Sequence, residues 1–594
     1  MFSFSGRTDL PNTTEIDINR IITSEFNMLT LSKTLLFTTA IMAFSTAALG
    51  ETYYLHSTKG DDGNTGISEK SPWKTLGRLN KLRFEPGDKI LLAAGKKFWG
   101  SLVLRNVRGD ADNPVIVSTW GTDDGAEDSY ATINAKGRLF GLHIINSSHL
   151  HVENVIIDAN GGAVNSWQRK MHEKLVKKGT REKTMMRVGV IVETDKSGTF
   201  EGVTLDNLVV QNVFFHDPGL QRPASETRTH NGTQEYGWGI RFFASRKGVI
   251  KNSRISNSLI SNVAHTGIKF GTRGGTIDGV TIENNRIIKT GGPGMQFGGV
   301  KNARVTDNVV FKSGSDDDGR KWGRGSGMWT WGSENFIIEY NAFIQANGPA
   351  DSTGFHVDFN CSNIVFQYNL SARNAGGFIE ILGNNHNSAY RYNISVNDGY
   401  RIKGENGDYQ EGKTFWLSGF VGKDREHKGP YNTYIYNNTI YVDESVKPKV
   451  TIAKTTQGLL VANNIFHIVG NARLVKGDQY RPKKDGTPTE VPRTIFKNNL
   501  FLHQASWPAR VLVQDEAPIF GDAEFSKPGG IKLEDYIPAN VALVQDKGVE
   551  IQMIPGDDNG LITGLKAKHD IMGNPITGKP DMGAIEIKLP VENK

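Results

Sequence analysis

Two acidic side chains near the middle of the chain have the type and spacing for glycosidic-bond chemistry. Asp358 lies in GFHVDFN (354–360) and Glu380 in GGFIEIL (376–382), 22 residues apart. If both segments are strands, alternation turns every second side chain outward. With Phe355, Val357 and Phe359 inward, His356, Asp358 and Asn360 face out; with Ile379 and Ile381 inward, Phe378 and Glu380 face out. Where 22 residues make one coil of a solenoid, the two carboxyls stand side by side at about 5 Å, the spacing of stacked strands. One carboxyl can then protonate a leaving oxygen while the other attacks or activates water; a separation of about 5–5.5 Å implies retention of configuration and a wider one inversion. Like charges this close raise one of the two pKa values, which suits a general acid. The preceding coil, GMWTWGS (327–333), carries Trp329 and Trp331 on the same line. Their indoles are platforms for sugar rings, and His356 and Asn360 are placed to hold the acids or bind hydroxyls.

Other constellations suit other chemistries. Asp316, Asp317 and Asp318 are three consecutive acids in a Gly-rich stretch, a candidate Ca2+ site through carboxylate oxygens. Arg241 (GIRFF) and Lys269 (GIKFG) occupy comparable strand positions, and Arg401 and Lys403 (YRIKGEN) follow Glu380. Such a basic ladder grips sulfates or carboxylates. Together with Ca2+ it would serve a lyase, in which a Lys or Arg removes the proton α to a uronate carboxyl. The HxD pair His356/Asp358 is half of a metal site, with no further ligands at fixed spacing.

The elements that must position these residues are legible as a repeat. An apolar run, an Asn and a second apolar run recur around Asn160, Asn252, Asn285, Asn308, Asn341, Asn369, Asn393, Asn438, Asn464 and Asn499. From Asn252 onward the intervals are 33, 23, 33, 28, 24, 45, 26 and 35 residues. Short β-branched strands, corner Asn and Gly, and no helical period predict a right-handed parallel β-helix with stacked Asn side chains. A solenoid core grows in one dimension, so 594 residues need not divide into several globular domains. Insertions at 165–187, 312–327 and 399–413 break the pattern and are expected to project from one side and shape a binding site.

The one cysteine, Cys361, excludes an internal disulfide and reads as a small core residue. From Met28, the run MLTLSKTLLFTTAIMAFSTAALG has the pattern of a secretory signal peptide, too short for a membrane span. The reading places the true start at Met28, the mature start near Glu51, and the protein in the periplasm or outside the cell. The formal charge of +6 mildly favours an anionic partner. Dispersed Lys and Arg with no binding motif argue against nucleic acid.

The opening YYLHSTKGDDGNTG, the coils, and the closing DIMGNPITGKPDMGAIEI (570–587) resemble right-handed β-helix carbohydrate-active enzymes, both polysaccharide lyases and glycoside hydrolases. The stretch from Trp329 to Glu380 is most similar to glycoside hydrolase family 141-type fucosidase and xylanase relatives. That resemblance implies a pair of acidic residues, carried here onto Asp358 and Glu380. RIKGEN is similar to the RIK of polygalacturonases, but the companion acid and GHG motifs of that family are absent.

The expectation is a leader over 1–50, a β-helix entry and capping segment over 51–140, a catalytic parallel β-helix over 141–510 and a C-terminal cap over 511–594. The expected activity is a monomeric glycoside hydrolase acting on a plant or algal, acidic or sulfated polysaccharide. A Ca2+-dependent lyase and a non-catalytic carbohydrate-binding protein are the alternatives.

Overall fold

The computed structural model describes residues 50–121, 129–135, 138–159, 188–213, 237–314, 323–475, 491–511 and 513–588. Among them, the strands form three sheets of 15, 12 and 14 members, and successive coils contribute neighbouring strands to each sheet. Pairing is parallel, as between Trp238–Ser245 and Ile268–Arg273 or Met295–Gly298 and Met328–Trp331. Helix is confined to short turns such as Leu76–Leu79 and Val541–Val544. The chain is a right-handed parallel β-helix. Its pairing starts at Thr52, within the expected entry segment.

Alternation makes this fold. Inward residues stack in rows along the axis: Ile240, Ile268, Met295, Met328 and Phe355 are all at most 1% exposed. Phe242, Phe270 and Phe297 stack ring on ring at 4.8 and 5.0 Å. Cys361 belongs to this core at 1% exposure, and burial pushes its thiol up to about 12, so it is unreactive as a nucleophile.

Between the 15- and 14-stranded sheets the chain bends sharply. There Asn285, Asn308, Asn341, Asn369, Asn393, Asn438, Asn464 and Asn499 form a buried ladder. Asn341 is representative. Its backbone N–H and its Nδ2 donate to Asn369 Oδ1 at 2.9 and 3.0 Å, and Nδ2 also donates to Val305 O and Glu339 O. Asn369 repeats the pattern toward Asn393. The residue before each ladder Asn is left-handed, for example Asn284 (φ 53°) and Tyr368 (φ 56°). A buried bend would otherwise orphan backbone amides, and the ladder satisfies them.

The ladder is shorter than the sequence repeat. In the coil of Asn252 its position is held by Ser258, whose N–H donates to Asn285 Oδ1. Asn252 instead shares a row within the 15-stranded sheet, where Asn335 donates to Asn302 and Asn363 to Asn335, each at 2.9 Å. Both rows are Asn at bends, so the sequence does not separate them. Asn160, Asp316, Asp317, Asp318, the leader and the insertion at 165–187 lie outside the described residues.

The C-terminal segment lies along the flank of the later coils. Arg391 donates to Gly564 O and Leu565 O at 2.7 and 3.3 Å, and Asn387 Nδ2 to both oxygens of Asp557 at 2.9 Å. Among the described residues, no helix is long and apolar enough to cross a membrane.

Candidate active site

The outward face of the 12-stranded sheet carries the predicted residues. Strand register aligns Arg241, Lys269, Gln296, Trp329 and His356 rung by rung. Val357 pairs with Ile381, so Glu380 is level with His356, and Trp416 pairs with Glu380. A second row follows two residues on: Gly271, Gly298, Trp331 and then Asp358.

The register corrects the side-by-side placement of the two acids. The coil here is 24 residues, from Val357 to Ile381, not 22. Asp358 and Glu380 are diagonal neighbours, with Cα atoms about 7–8 Å apart by sheet geometry. The 5 Å expectation, and the retention drawn from it, therefore has no support. Two predicted orientations also change. Phe378 is in the core at 1% exposure, edge-on to Tyr390 at 5.6 Å. It occupies the position of Gly327 and Gly354, where a Cβ points inward at the bend. Phe359, beyond the strand end at Val357, turns outward against Trp331.

The site has a buried floor. Trp329, His356 and Glu380 are 2%, 1% and 2% exposed. Trp329 meets His356 edge-on at 5.1 Å. His356 Nδ1 is 3.2 Å from Ser326 Oγ and 3.3 Å from Thr353 Oγ1. Among the described residues, Gln296 Oε1, His356 Nε2, Glu380 Oε1 and Trp416 Nε1 are buried without a hydrogen-bond partner. Each such atom costs about 1–3 kcal/mol, a cost that a polar ligand or ordered water along this line of neighbouring coils would remove.

The walls bring in an acid that the sequence reading missed. Asp351 lies seven residues before Asp358. Arg324 Nε is 3.1 Å from its Oδ2, and Gln410 Nε2 donates to its Oδ1 at 2.9 Å. The insertion at 399–413 fixes this turn. Tyr409 and Gln410 N–H groups donate to Pro349 O at 3.1 and 3.2 Å. Arg401 donates to Gly348 O, Ala350 O and Gln410 O at 2.7, 2.8 and 2.7 Å. Arg401 is thus a 3%-exposed strut for the loop of Asp351, not a group presented to an acidic polymer. Lys403 is on the exposed part of the same insertion.

The other predicted contacts sort by position. Arg241 and Lys269 are level, as expected, and both lie over the Trp238 ring, at 3.8 and 4.8 Å. Asn360 is an exposed left-handed corner residue whose Oδ1 accepts from Asn384 at 2.8 Å. Trp331 stands 48% exposed beside Asp358.

Electrostatics separates the three carboxyls. Burial alone would raise Asp351, but Arg324, His356, Gln410 and Arg401 pull it down to about 2. Burial, reinforced by the charge of Asp351, pushes Asp358 up to about 7 against the Phe359 N–H bond at 2.9 Å. Burial and Asp351 push Glu380 well above the usual carboxylate range, with Lys413 opposing. Burial lowers His356 to about 4, so its imidazole is neutral. Burial also lowers Lys413 to about 8, and its Nζ lies 3.5 Å over the Trp416 ring. Asp351 was visible in ADSTGFHVD as a second acid close to Asp358, but its partner Arg324 and clamp Gln410 are remote in sequence. Among the described residues, no group of three or more His, Cys, Asp or Glu is placed to hold a metal ion.

A β-helix with buried carboxyls on its outward face invites comparison with carbohydrate-active enzymes. The chain is similar to a lacto-N-biosidase. It is 25% identical to the lacto-N-biosidase of Bifidobacterium longum subsp. longum over 91% of its length. It spans only 37% of that relative, little more than a third. A family model for the right-handed β-helix region matches residues 238–440. Among solved structures, a family 136 lacto-N-biosidase from Eubacterium ramulus is 18% identical with a TM-score of 0.48, covering 72% of this chain and 67% of that one. A pectate lyase, Pel9A, is 11% identical with a TM-score of 0.35, covering 91% and 97%. The specific likeness is therefore to lacto-N-biosidases, not to the family 141 relatives that the motifs resembled.

Proposed function

We propose that the protein is a glycoside hydrolase, with Asp358 as proton donor and Asp351 as its ionised partner. The observation that carries this reading is the unequal setting of two nearby acids: Arg324 and Gln410 hold Asp351 at 3.1 and 2.9 Å, while Asp358 accepts from the Phe359 N–H at 2.9 Å, so the first is held low and the second raised. Environments that push two carboxyls apart in this way define an acid and a base or nucleophile. Asp358 gives its proton to the glycosidic oxygen as the bond to the anomeric carbon breaks. Asp351 meets the positive charge that develops on the sugar ring, either by attacking the anomeric carbon or by taking a proton from the water that does.

Glu380 is a poorer second catalyst than the sequence pairing suggested. Burial and the charge of Asp351 shift it toward its protonated form, where a negative charge is needed. It suits a hydrogen bond to the bound sugar, in company with His356 and Trp416.

The likeness to the Bifidobacterium longum enzyme makes a lacto-N-biosyl-terminated saccharide the first substrate to try. Neither an acidic plant or algal polymer nor β-elimination draws support from that relative, and Arg401 is engaged by backbone carbonyls. The test is incubation with lacto-N-biosyl-lactose and with neutral, uronate and sulfated polysaccharides, following reducing ends and the ultraviolet absorbance of unsaturated products. The expected result is new reducing ends without absorbance, lost in Asp358→Asn and Asp351→Asn. Unsaturated products, or full activity in both variants, would overturn the reading.

A further inference from the structure

Most large apolar side chains of the coils are buried, yet the two rings that flank Phe359 are not: Trp331 is 48% and Phe420 36% exposed. They belong to one line. Trp331 meets Phe359 at 6.0 Å and 76°, Phe359 meets Phe420 at 5.9 Å and 82°, and Phe420 meets His427 at 6.1 Å and 87°. We propose that Trp331, Phe359 and Phe420 form the subsite for the saccharide on the leaving-group side of the scissile bond. This rests on the hydrolase reading above.

The backbone prepares the platform. Trp331 pairs with Gly298 of the preceding coil. A Cβ on Gly298 would lie 3.3 Å from the indole Cε3, so the ring lies back over that glycine and keeps its other side open. At the far end, Gly383 N–H donates to Phe420 O at 2.9 Å, and Lys428 N–H to Gly419 O at 2.9 Å, which anchors the loop carrying Phe420. A Cβ on Gly383 would meet Gly419 O at 2.3 Å. No side chain can rise there, and Phe359 reaches Phe420 across the gap. Phe359 N–H also holds Asp358 Oδ1 at 2.9 Å, so the line is hydrogen-bonded to the proton donor.

Direction follows from chemistry. The buried polar floor, with His356, Glu380 and Trp416, lies two residues back along the strands from Asp358, on the side that can satisfy the many hydroxyls of the sugar that acquires charge. Asp358 shares the row of Trp331, and Phe359 and Phe420 lie farther along the strands from that floor. The part of the substrate that receives the proton and departs therefore lies over the rings, where the apolar C–H face of a pyranose packs on an aromatic face. A saccharide with such a face beyond the bond is selected over a small leaving group.

The experiment compares lacto-N-biosyl-lactose with lacto-N-biosyl fluoride, which has no sugar beyond the bond, in the wild type, Trp331→Ala, Phe420→Ala and Trp331→Phe. The reading is the ratio of kcat/KM for the two compounds. The expected result is a ratio at least tenfold lower in both alanine variants and an intermediate ratio in Trp331→Phe, with thermal midpoints close to wild type because both rings are at the surface. An unchanged ratio in both alanine variants, with both compounds turned over, overturns the subsite and leaves the hydrolase reading intact. If the wild type turns over neither compound, the lacto-N-biosyl substrate fails and the subsite for its leaving group falls with it.

Discussion

Arg324→Gln tests the division of labour between Asp351 and Asp358. Arg324 Nε lies 3.1 Å from Asp351 Oδ2, with side chains 24% and 17% exposed. Its charge counteracts burial and holds Asp351 near 2, and the same charge weakly draws Asp358 down. Removing it moves both groups upward. An opposite charge at contact is worth about one to three pKa units, so the acid limb of the kcat/KM profile rises by roughly that much. The alkaline limb, set by Asp358 near 7, rises by less than about one unit.

Stability follows the same sign. A carboxyl near 2 in the native state, against 3.8 as the ordinary value, contributes roughly 2–3 kcal/mol above pH 4. That contribution is lost as the pH falls through about 2. The variant is therefore up to about 2–3 kcal/mol less stable at pH 7, and the gap closes in acid. The assays are a pH–rate profile and urea unfolding at pH 7 and pH 3. An acid limb that stays in place, or an alkaline limb that moves down, refutes the reasoning.

Further outcomes follow from the same geometry. Asp358→Asn and Asp351→Asn should each lower kcat/KM by about 10²–10⁴ with native circular dichroism. Glu380→Gln, which keeps a neutral hydrogen-bonding group, should stay within about tenfold of wild type; a loss as large as that of Asp358→Asn would return it to the acid–base pair. Asn369→Ala orphans the buried Asn341 N–H and leaves a small void, costing about 2–4 kcal/mol in urea unfolding. Arg401→Ala removes the guanidinium donors from Gly348 O, Ala350 O and Gln410 O. It should free the insertion at 399–413 for limited proteolysis and lower kcat/KM through the displaced Asp351.

The β-helix was legible because its determinants are local: alternation in VTIENNRI or FIIEYNAFI and an Asn at each bend. The outward face holding Trp329, His356 and Glu380 was legible for the same reason. Register was not, since one coil of 24 residues and one of 22 look alike until the hydrogen bonds are known. That difference moved Glu380 from beside Asp358 to beside His356. Asp351 was hidden because its significance depends on Arg324 and Gln410, 27 residues before it and 59 after. Likewise, nothing in YRIKGEN separates an Arg that meets substrate from one that clamps Gly348 and Ala350.

The Asn ladder has a polarity. Each side-chain amide hands its N–H forward to the next oxygen, from Asn285 to Asn308 and onward to Asn499. Eight such amides in file add their dipoles, as peptide units do along an α-helix, with the positive end toward the C-terminus. A further Asn there would carry an amide with no acceptor ahead of it. The chain instead places Asp515, whose Oδ2 takes the Asn499 N–H and Nδ2 at 3.0 and 2.7 Å and whose Oδ1 takes the N–H of Asn498 at 3.1 Å. A group that only accepts, and is negative, is the electrostatic terminator of a unidirectional wire of amides. The solenoid thereby encodes the end of its own ladder.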